Sequence, residues 1–258
     1  MTKELQNLLS LLESPNKENR DLGAVLAQNF QKEFKTHFGY EITELQELTT
    51  FLTIYDGWYF QLPLSEMTEL NLGRGIFQIL PLAIMKMTKL QNLYLGHIQL
   101  ENFPPEIGQL QKLSILYACG NKLQNLPSEI GQLQSLEKII LDSNQLRNLP
   151  IEIGQLQNLN TLDLSSNKLE DFPKEITKLI NLQNLSLSRN MLEFLPPEMV
   201  KICNLKTLYL EHNQLQSLPE ELAQIKTLQK IYIEGNPKNI FIPDELKHLV
   251  DFGRGLKD

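Results

Sequence analysis

Cysteine is scarce in this sequence, which has only Cys119 and Cys203 among its 258 residues. A disulfide requires two Cα atoms within about 7 Å of each other, and these two cysteines occupy different positions of a repeating unit, several units apart. We therefore expect two free thiols, which are typical of a reducing compartment. The predicted location is the cytoplasm, and the alternative is an exported effector without a classical signal peptide.

Long apolar runs and basic clusters are also missing. No stretch approaches the roughly 20 apolar residues that cross a bilayer. The first residues, MTKELQNLLSLLESPNKENR, lack the basic start and uninterrupted apolar core of a secretory signal. The formal net charge is −7, with no run of Lys or Arg, which argues against binding to nucleic acid or to an anionic membrane. We expect a soluble protein that binds neither.

The sequence motifs of common enzymes are absent as well. There is no G-x-x-x-x-G-K-[ST] phosphate loop, no H-E-x-x-H, no paired C-x-x-C and no G-x-S-x-G. The histidines, His37, His97, His212 and His248, are scattered along the chain and do not suggest a metal site. Cys119 has no obvious base or cation beside it in the sequence, so a reactive thiol is not favoured there. We predict no catalytic residue, no cofactor and no metal.

What the sequence has in abundance is a repeat of 23 residues, clearest from Leu136 to Asn158. Units begin at residues 67, 90, 113, 136, 159, 182, 205 and 228, and each follows the form L-x-x-L-x-L-x-x-N-x-L-x-x-L-P-x-E-I-x-x-L-x-x. We call the positions of the unit columns one to 23. Self-similarity at a fixed period of this length is typical of a solenoid, in which each unit forms one coil.

The first half of each unit predicts a short strand. Columns four and six are apolar and alternate with mostly polar residues, which is the pattern of a half-buried strand. Column nine is Asn from Asn121 to Asn236, where the chain leaves the strand. A side-chain amide can donate to and accept from buried backbone groups, so we expect an asparagine ladder. Gly75 and Ile98 stand in column nine of the first two units, and the ladder should be incomplete there.

The second half of each unit predicts a short helical turn. Column fifteen is Pro from Pro81 to Pro219, which suits the first position of a helix, and a Glu follows two residues later in most units. Apolar columns eighteen and twenty-one should face inward. The segment is too short for a long helix, so we expect 3₁₀ or very short helices on the convex side of a curved coil.

This pattern resembles the leucine-rich repeat family. Its L-P-x-E-I-G half is similar to the class found in bacterial leucine-rich repeat proteins and in intracellular Ras-suppressor and Scribble-like proteins. The resemblance implies an α/β horseshoe-shaped solenoid with a parallel concave sheet and short 3₁₀ or helical convex segments. Extracellular members usually carry paired cysteines in their caps, which this sequence lacks. Family functions are diverse, and a shared fold does not fix an activity.

The two ends of the solenoid need caps, because a terminal coil has no neighbour to cover its apolar face. Residues 1–57 predict a cap of amphipathic helices, and the aromatic run Trp58, Tyr59 and Phe60 should seal the first coil. A separate helical recognition domain is the alternative. The solenoid then occupies residues 58–258 and should end in a charged capping helix that includes Asp244 and Asp251.

The concave side of the sheet is the candidate binding surface. Columns three, five and seven point away from the core and can vary without harm to the fold. Two exposed apolar patches are expected, one around Tyr117 and one around Tyr209, inside a rim of mixed charge. Exposed tyrosines are typical of interface hot spots. The candidate partner-binding residues are Tyr94, Ile115, Tyr117, Lys138, Ile140, Asp163, Arg189, Tyr209, Glu211, His212, Lys230 and Tyr232.

These observations predict a non-catalytic, monomeric module that binds a protein or peptide on its concave sheet. One alternative is the substrate-recognition part of a larger enzyme or effector, as the resemblance to bacterial leucine-rich repeat ubiquitin ligases allows. Those enzymes carry a separate catalytic domain beyond the repeats, so this alternative requires the chain to be a fragment of a longer protein. A structural or assembly role through end-to-end packing is the other alternative. Aromatic residues on a sheet can also reflect strand propensity alone.

Overall fold

The computed structural model describes residues 68–72, 78, 80, 84–85 and 87–253. The expected N-terminal cap at residues 1–57, the aromatic run from Trp58 to Phe60, and Gly75 of the first coil lie outside the described residues. So does the end of the chain after residue 253.

Within the described residues, nine parallel strands form one open, curved sheet in the order of the sequence. The first eight strands cover columns three to five of the eight units, as the alternation of apolar and polar residues predicted. Equal columns pair across neighbouring strands, for example Leu116 with Ile139, so each column forms a row across the sheet. The strands are β1 Glu69–Asn71, β2 Asn92–Tyr94, β3 Ile115–Tyr117, β4 Lys138–Ile140, β5 Thr161–Asp163, β6 Asn184–Ser186, β7 Thr207–Tyr209, β8 Lys230–Tyr232 and β9 Val250–Asp251.

The core is a single apolar cluster that runs along the axis of the solenoid. Columns four and six supply its sheet side, and Leu116, Ala118 and Ile139 are fully buried. Columns eighteen and twenty-one supply its convex side, where Ile107 and Leu110 are fully buried. Since each coil covers the apolar face of the next, stability depends on the contacts between neighbouring coils.

The convex segments are 3₁₀ helices of five residues, as their length predicted. They are Pro105–Gln109, Ser128–Gln132, Ile151–Gln155, Lys174–Lys178, Pro197–Lys201 and Glu220–Gln224. The prediction for column fifteen was wrong in detail, because its proline precedes the helix. Pro127 has φ −69° and ψ 152°, which is extended backbone, and its carbonyl accepts the first helical hydrogen bond from Ile130. The fixed φ of proline suits this extended position as well as it suits a helix.

The expected asparagine ladder is present from Asn121 to Asn236. Asn144 is typical: its Nδ2 donates to the carbonyls of Ala118 at 2.9 Å and Leu141 at 3.0 Å, and its Oδ1 accepts from the backbone N–H of Leu123 at 3.0 Å. One amide therefore satisfies backbone groups of two neighbouring coils. Ile98 occupies the ladder position of the second coil and is buried, which confirms the predicted gap in that coil.

A second ladder, which we did not predict, runs along column 23 on the flank of the solenoid. Asn158 Nδ2 donates to the carbonyl of Gln134 at 2.8 Å, and Asn181 Nδ2 donates to the carbonyl of Gln157 at 2.8 Å. Ser135 and Thr227 make the same contact with their hydroxyls. The signal was a run of small polar donors, Ser, Asn, Asn, Asn and Thr, at one column of five successive units.

The expected capping helix at the C-terminal end of the solenoid is a single 3₁₀ turn, Asp244–Leu246, and a ninth strand follows it. Strand β9 pairs with β8 through Ile231 and Val250, which are 19 residues apart where the other coils have 23. The last coil is therefore shortened, and it still places Val250 and Asp251 in line with columns four and five.

Candidate protein-binding surface

Columns three, five and seven, together with the strand exits at column eight, line the concave face. Every described residue of column eight has a positive φ, from 53° at Ser166 to 75° at Gly235. This left-handed turn follows each strand, three residues beyond its end. Non-glycine residues adopt it at a cost of roughly 1–2 kcal/mol, and the asparagine ladder beside it supplies compensating hydrogen bonds.

The structure brings Tyr94 and Tyr117 together as a first tyrosine pair. Their ring centroids lie 6.2 Å apart with the planes tilted by 48°, which is within the favourable range for aromatic contacts. The Tyr117 side chain is 36% exposed, and Ile115 beside it is half-buried. These side chains lie together on the concave face, and among them only Tyr117 presents a large part of its surface to solvent.

The prediction that Ile140 belongs to an exposed patch was wrong, because Ile140 is only 9% exposed. It lies on the concave side, since the core cluster holds Ile139 and Leu141 but excludes Ile140. Tyr117 and Asp163 stand on either side of it in register. Strands are about 4.8 Å apart, so the side chains on the two adjacent strands leave Ile140 little contact with solvent. Ile140 forms the floor of the surface and is not an exposed anchor.

The phenol of Tyr117 is linked to two further side chains. Its hydroxyl hydrogen-bonds to Cys119, and this bond, followed by burial, raises the pKa of Tyr117 to about 12. Cys119 is 4% exposed, and its sulfur lies 3.8 Å from His97 Nε2. Burial raises the pKa of the Cys119 thiol, which opposes formation of a reactive thiolate.

Tyr209 and Tyr232 form a second tyrosine pair with a different geometry. Their rings are stacked, with centroids 4.8 Å apart and planes 3° from parallel. Lys230 Nζ lies 5.6 Å from the Tyr232 ring centre and 2.8 Å from Asp251 Oδ2. Lys230, expected as a rim cation, is therefore engaged within the chain.

Asp251 is a residue of this surface that the sequence analysis misplaced. It was assigned to a capping helix, but it lies on β9 opposite Tyr232. A signal was available, because apolar Val250 and Phe252 flank Asp251 as columns four and six flank column five. The final coil is shorter than 23 residues, so Asp251 falls outside the repeat period and was not assigned to a strand.

Between the two tyrosine pairs the face is polar and acidic. Asp142 and Asp163 are half-buried there. Burial, followed by the negative charge of Asp163, raises the pKa of Asp142. Asp163 Oδ1 accepts from the backbone N–H of Ser165 at 2.9 Å, and Asp142 Oδ2 accepts from Ser143 Oγ at 3.1 Å.

The remaining predicted rim residues lie where the columns place them. Lys138 and Arg189 are exposed, and neither forms an ion pair with another described residue. Glu211 is half-buried and accepts a hydrogen bond from Ser188 Oγ. His212 is exposed at the exit of β7, with its ring over the backbone of the next coil.

Within the part of the chain that the structure describes, no group of three or more His, Cys, Asp or Glu side chains is arranged to hold a metal ion. Both cysteines are free thiols, as expected. The helices in that same part are all too short to cross a lipid bilayer.

The architecture defines a class of protein: a parallel-sheet solenoid with an asparagine ladder. A family model described as leucine rich repeat matches residues 134–192 and 180–237. A leucine-rich repeat protein of Leptospira interrogans has a solved structure that is 40% identical, with a TM-score of 0.69, over 73% of this chain and 50% of that one. The chain belongs to the leucine-rich repeat family.

Two further solved structures are similar. A plant peptide hormone receptor, RGFR1, solved in complex with RGF2, is 29% identical with a TM-score of 0.62, over 72% of this chain and 31% of the receptor. Internalin C2 of Listeria monocytogenes is 23% identical with a TM-score of 0.61, over 73% of this chain and 81% of that one, and supports the fold alone. A search of curated proteins found no significant match.

The chain spans about half the length of the Leptospira structure and less than a third of the length of the plant receptor: 50% and 31%. Proteins with this fold generally act as binding modules for other proteins and not as enzymes, which supports a general protein-binding role.

Proposed function

We propose that this chain is a non-catalytic module that binds a protein or peptide on its concave sheet. The observation that carries the proposal is the presence of two tyrosine pairs on a surface that the fold does not need. The core uses columns four and six, so Tyr117 and Tyr209 in column five contribute nothing to the interior. Tyrosine combines a large apolar area with a polar tip and is enriched at binding hot spots.

The spacing of the pairs supports an extended contact. The first pair ends on β3 and the second begins on β7, with three strands between them. Strands are about 4.8 Å apart, so the two pairs are separated by about 19 Å along the sheet. A segment of six or seven extended residues at about 3.3 Å each covers this distance. Both pairs can therefore anchor one partner at the same time.

Substitution of the anchors tests the proposal. Tyr117→Ala and Tyr209→Ala are compared with wild type and with Phe194→Ala, which removes an aromatic ring that is 58% exposed outside the sheet. Circular dichroism and thermal unfolding establish that all four proteins are folded. Each protein is then immobilised and exposed to a lysate of the source organism.

We expect wild type and Phe194→Ala to capture a partner protein from the lysate. Both tyrosine variants should fail to retain that partner. Truncation of a hot-spot side chain costs about 2 kcal/mol or more, which is roughly thirtyfold in affinity. Equal capture by all four proteins would reject the tyrosine pairs as anchors.

A further inference from the structure

The charge pattern between the tyrosine pairs specifies the chemistry of the partner. Columns five and seven form the middle of the concave face. Their charged residues in the described coils are all acidic, and they are Asp142, Asp163, Glu211, Glu234 and Asp251 in the equivalent position of β9. The cations of this face stand on its two edges, in column three with Lys138 and in column eight with Arg189. A ligand that follows the middle of the sheet therefore meets negative charge.

Two of these carboxylates form no salt bridge with a described residue, and the attraction of His97 is the smallest of the effects on the pKa of Asp142. Asp163 lies on β5, and Asp142 lies two residues beyond the end of the adjacent strand β4. Neither appears in an ion pair with a described residue. Each is half-buried, and the charge of Asp163 raises the pKa of Asp142. Two like charges at a partly desolvated site repel each other, and a cation placed between them would relieve both. The buried floor at Ile140 lowers the local dielectric and strengthens that attraction.

Asp163 stands midway between the two tyrosine pairs. It stands on β5, two strands from Tyr117 on β3 and two strands from Tyr209 on β7. Its negative charge contributes to the raised pKa of both phenols. A cation bound at Asp163 therefore lies about 10 Å across the sheet from each tyrosine pair, because Ile140 and Ser186 are the in-register neighbours of Asp163. Guanidinium groups bind carboxylates through two hydrogen bonds and also stack on aromatic faces.

The edge cations Lys138 and Arg189 form no ion pair with these two carboxylates. Lys138 begins β4 and Asp142 lies two residues beyond its end, so the two are four residues apart, which corresponds to about 13 Å of extended backbone. Arg189 lies at the exit of β6, two strands from Asp142, or about 10 Å across the sheet. Both are exposed to solvent, where screening weakens their effect over such distances.

Given the proposed function, we propose that the partner is a basic peptide segment, with an arginine that binds Asp142 and Asp163 and apolar or aromatic residues that contact the tyrosine pairs on either side. The occupant is a linear stretch of protein with positive charge at its centre. An acidic or neutral segment would leave both carboxylates unpaired and more deeply buried, which is unfavourable.

A phage-displayed library of random linear peptides, selected against the intact chain, provides the probe. Enriched sequences are synthesised and titrated by fluorescence anisotropy against four proteins. These are wild type, the variant Asp142→Asn/Asp163→Asn, the matched control Glu152→Gln/Glu175→Gln, and Tyr117→Ala/Tyr209→Ala. The control also removes two negative charges, but from the convex 3₁₀ helices. Asparagine and glutamine keep the side-chain shapes, so the fold is preserved.

We expect enriched peptides with Arg or Lys next to aromatic or apolar residues. Their affinity should fall roughly tenfold to hundredfold in the Asp142→Asn/Asp163→Asn variant, as for loss of charge-assisted hydrogen bonds. The control should remain within about twofold of wild type, as expected for exposed charges far from the contact. The affinity of the wild type should also fall with added salt.

The outcomes separate the two proposals. Peptides that lose affinity in the tyrosine variant but keep it in the asparagine variant overturn the basic partner and leave the concave binding surface standing. Enrichment of neutral or acidic peptides has the same consequence. Peptides that bind all four proteins equally overturn both proposals, and failure to enrich any peptide overturns the assignment of a linear basic segment.

Discussion

The imidazole ring of His97 lies directly over Gly120, at the space that a side chain on residue 120 would need. A Cβ on Gly120 would lie 2.1 Å from His97 Nδ1, and Gly120 has a φ of +64°. The same arrangement recurs at the other end of the sheet, where a Cβ on Gly235 would lie 2.2 Å from His212 Nδ1. Each column-eight histidine is followed 23 residues later by a glycine because its ring takes the place of the next side chain.

This relationship predicts a coupled effect on stability. Gly120→Ala should lower the free energy of unfolding by roughly 1–2 kcal/mol for the left-handed φ, with a further loss because the His97 ring must move. In a His97→Ala background only the cost of the φ remains, so Gly120→Ala should be less harmful there. A double-mutant cycle from urea unfolding measures the difference. An identical cost of Gly120→Ala in both backgrounds would contradict the steric pairing.

The two ladders of polar side chains should differ in their contribution to stability. Asn167 is 8% exposed and serves three carbonyls and one N–H, including Leu141 O at 3.0 Å and Leu146 N at 2.9 Å. Asn167→Ala leaves these groups buried without partners and should cost about 2–4 kcal/mol. Asn158→Ala, in the exposed column-23 ladder, should cost about 0.5–1.5 kcal/mol. Urea unfolding checks the order, which similar values for the two variants would contradict.

Tyr117 should ionise at a higher pH than an ordinary tyrosine. Its pKa is raised from 10.0 to about 12, first by the hydrogen bond with Cys119 and then by burial. The protonated phenol therefore stabilises the fold fully below about pH 10, and that contribution is lost as the pH rises through about 12. The tyrosinate absorbance of wild type minus that of Tyr117→Phe gives the titration. Cys119→Ala should lower the pKa, and a Tyr117 that titrates near 10 in wild type would contradict the hydrogen bond.

The two thiols should react at very different rates. Cys203 is exposed, whereas Cys119 is 4% exposed and burial raises its pKa. Iodoacetamide should therefore modify one thiol per chain in the native state, and the second only after unfolding, because the thiolate is the reacting species. Cys203→Ser should abolish the rapid reaction. Rapid modification of Cys119 in that variant would show that the concave face opens around it.

Much of the fold could be predicted because the repeat states the same physical constraint many times. Columns four and six are apolar in every unit, so the strands, their parallel register and the direction of every core side chain follow from the period. The asparagine ladder follows from the chemistry of a residue that can both donate and accept. The last coil could not be predicted in the same way, because its shorter length breaks the period and hides β9 and Asp251.

The candidate surface was only partly predictable, for a different reason. The period shows which columns leave the core, and it correctly placed Tyr94 beside Tyr117 and Tyr209 beside Tyr232. It does not show how far each side chain is covered by its neighbours on the same face. Ile140 was expected to be exposed, and the side chains on the two adjacent strands leave it only 9% exposed.

The sequence by itself therefore determined the solenoid, its coil boundaries, its core and the identity of the residues on its concave side, because a period of 23 residues fixes direction relative to the axis. The tertiary structure alone decided the properties that arise between side chains of different coils. These include the stacked and the tilted tyrosine pairs, the histidine rings over glycine and the partly buried carboxylates between the tyrosines. Such contacts join residues 21 or more positions apart. Their geometry depends on the shapes of both side chains, which cannot be read from the residues of one column alone.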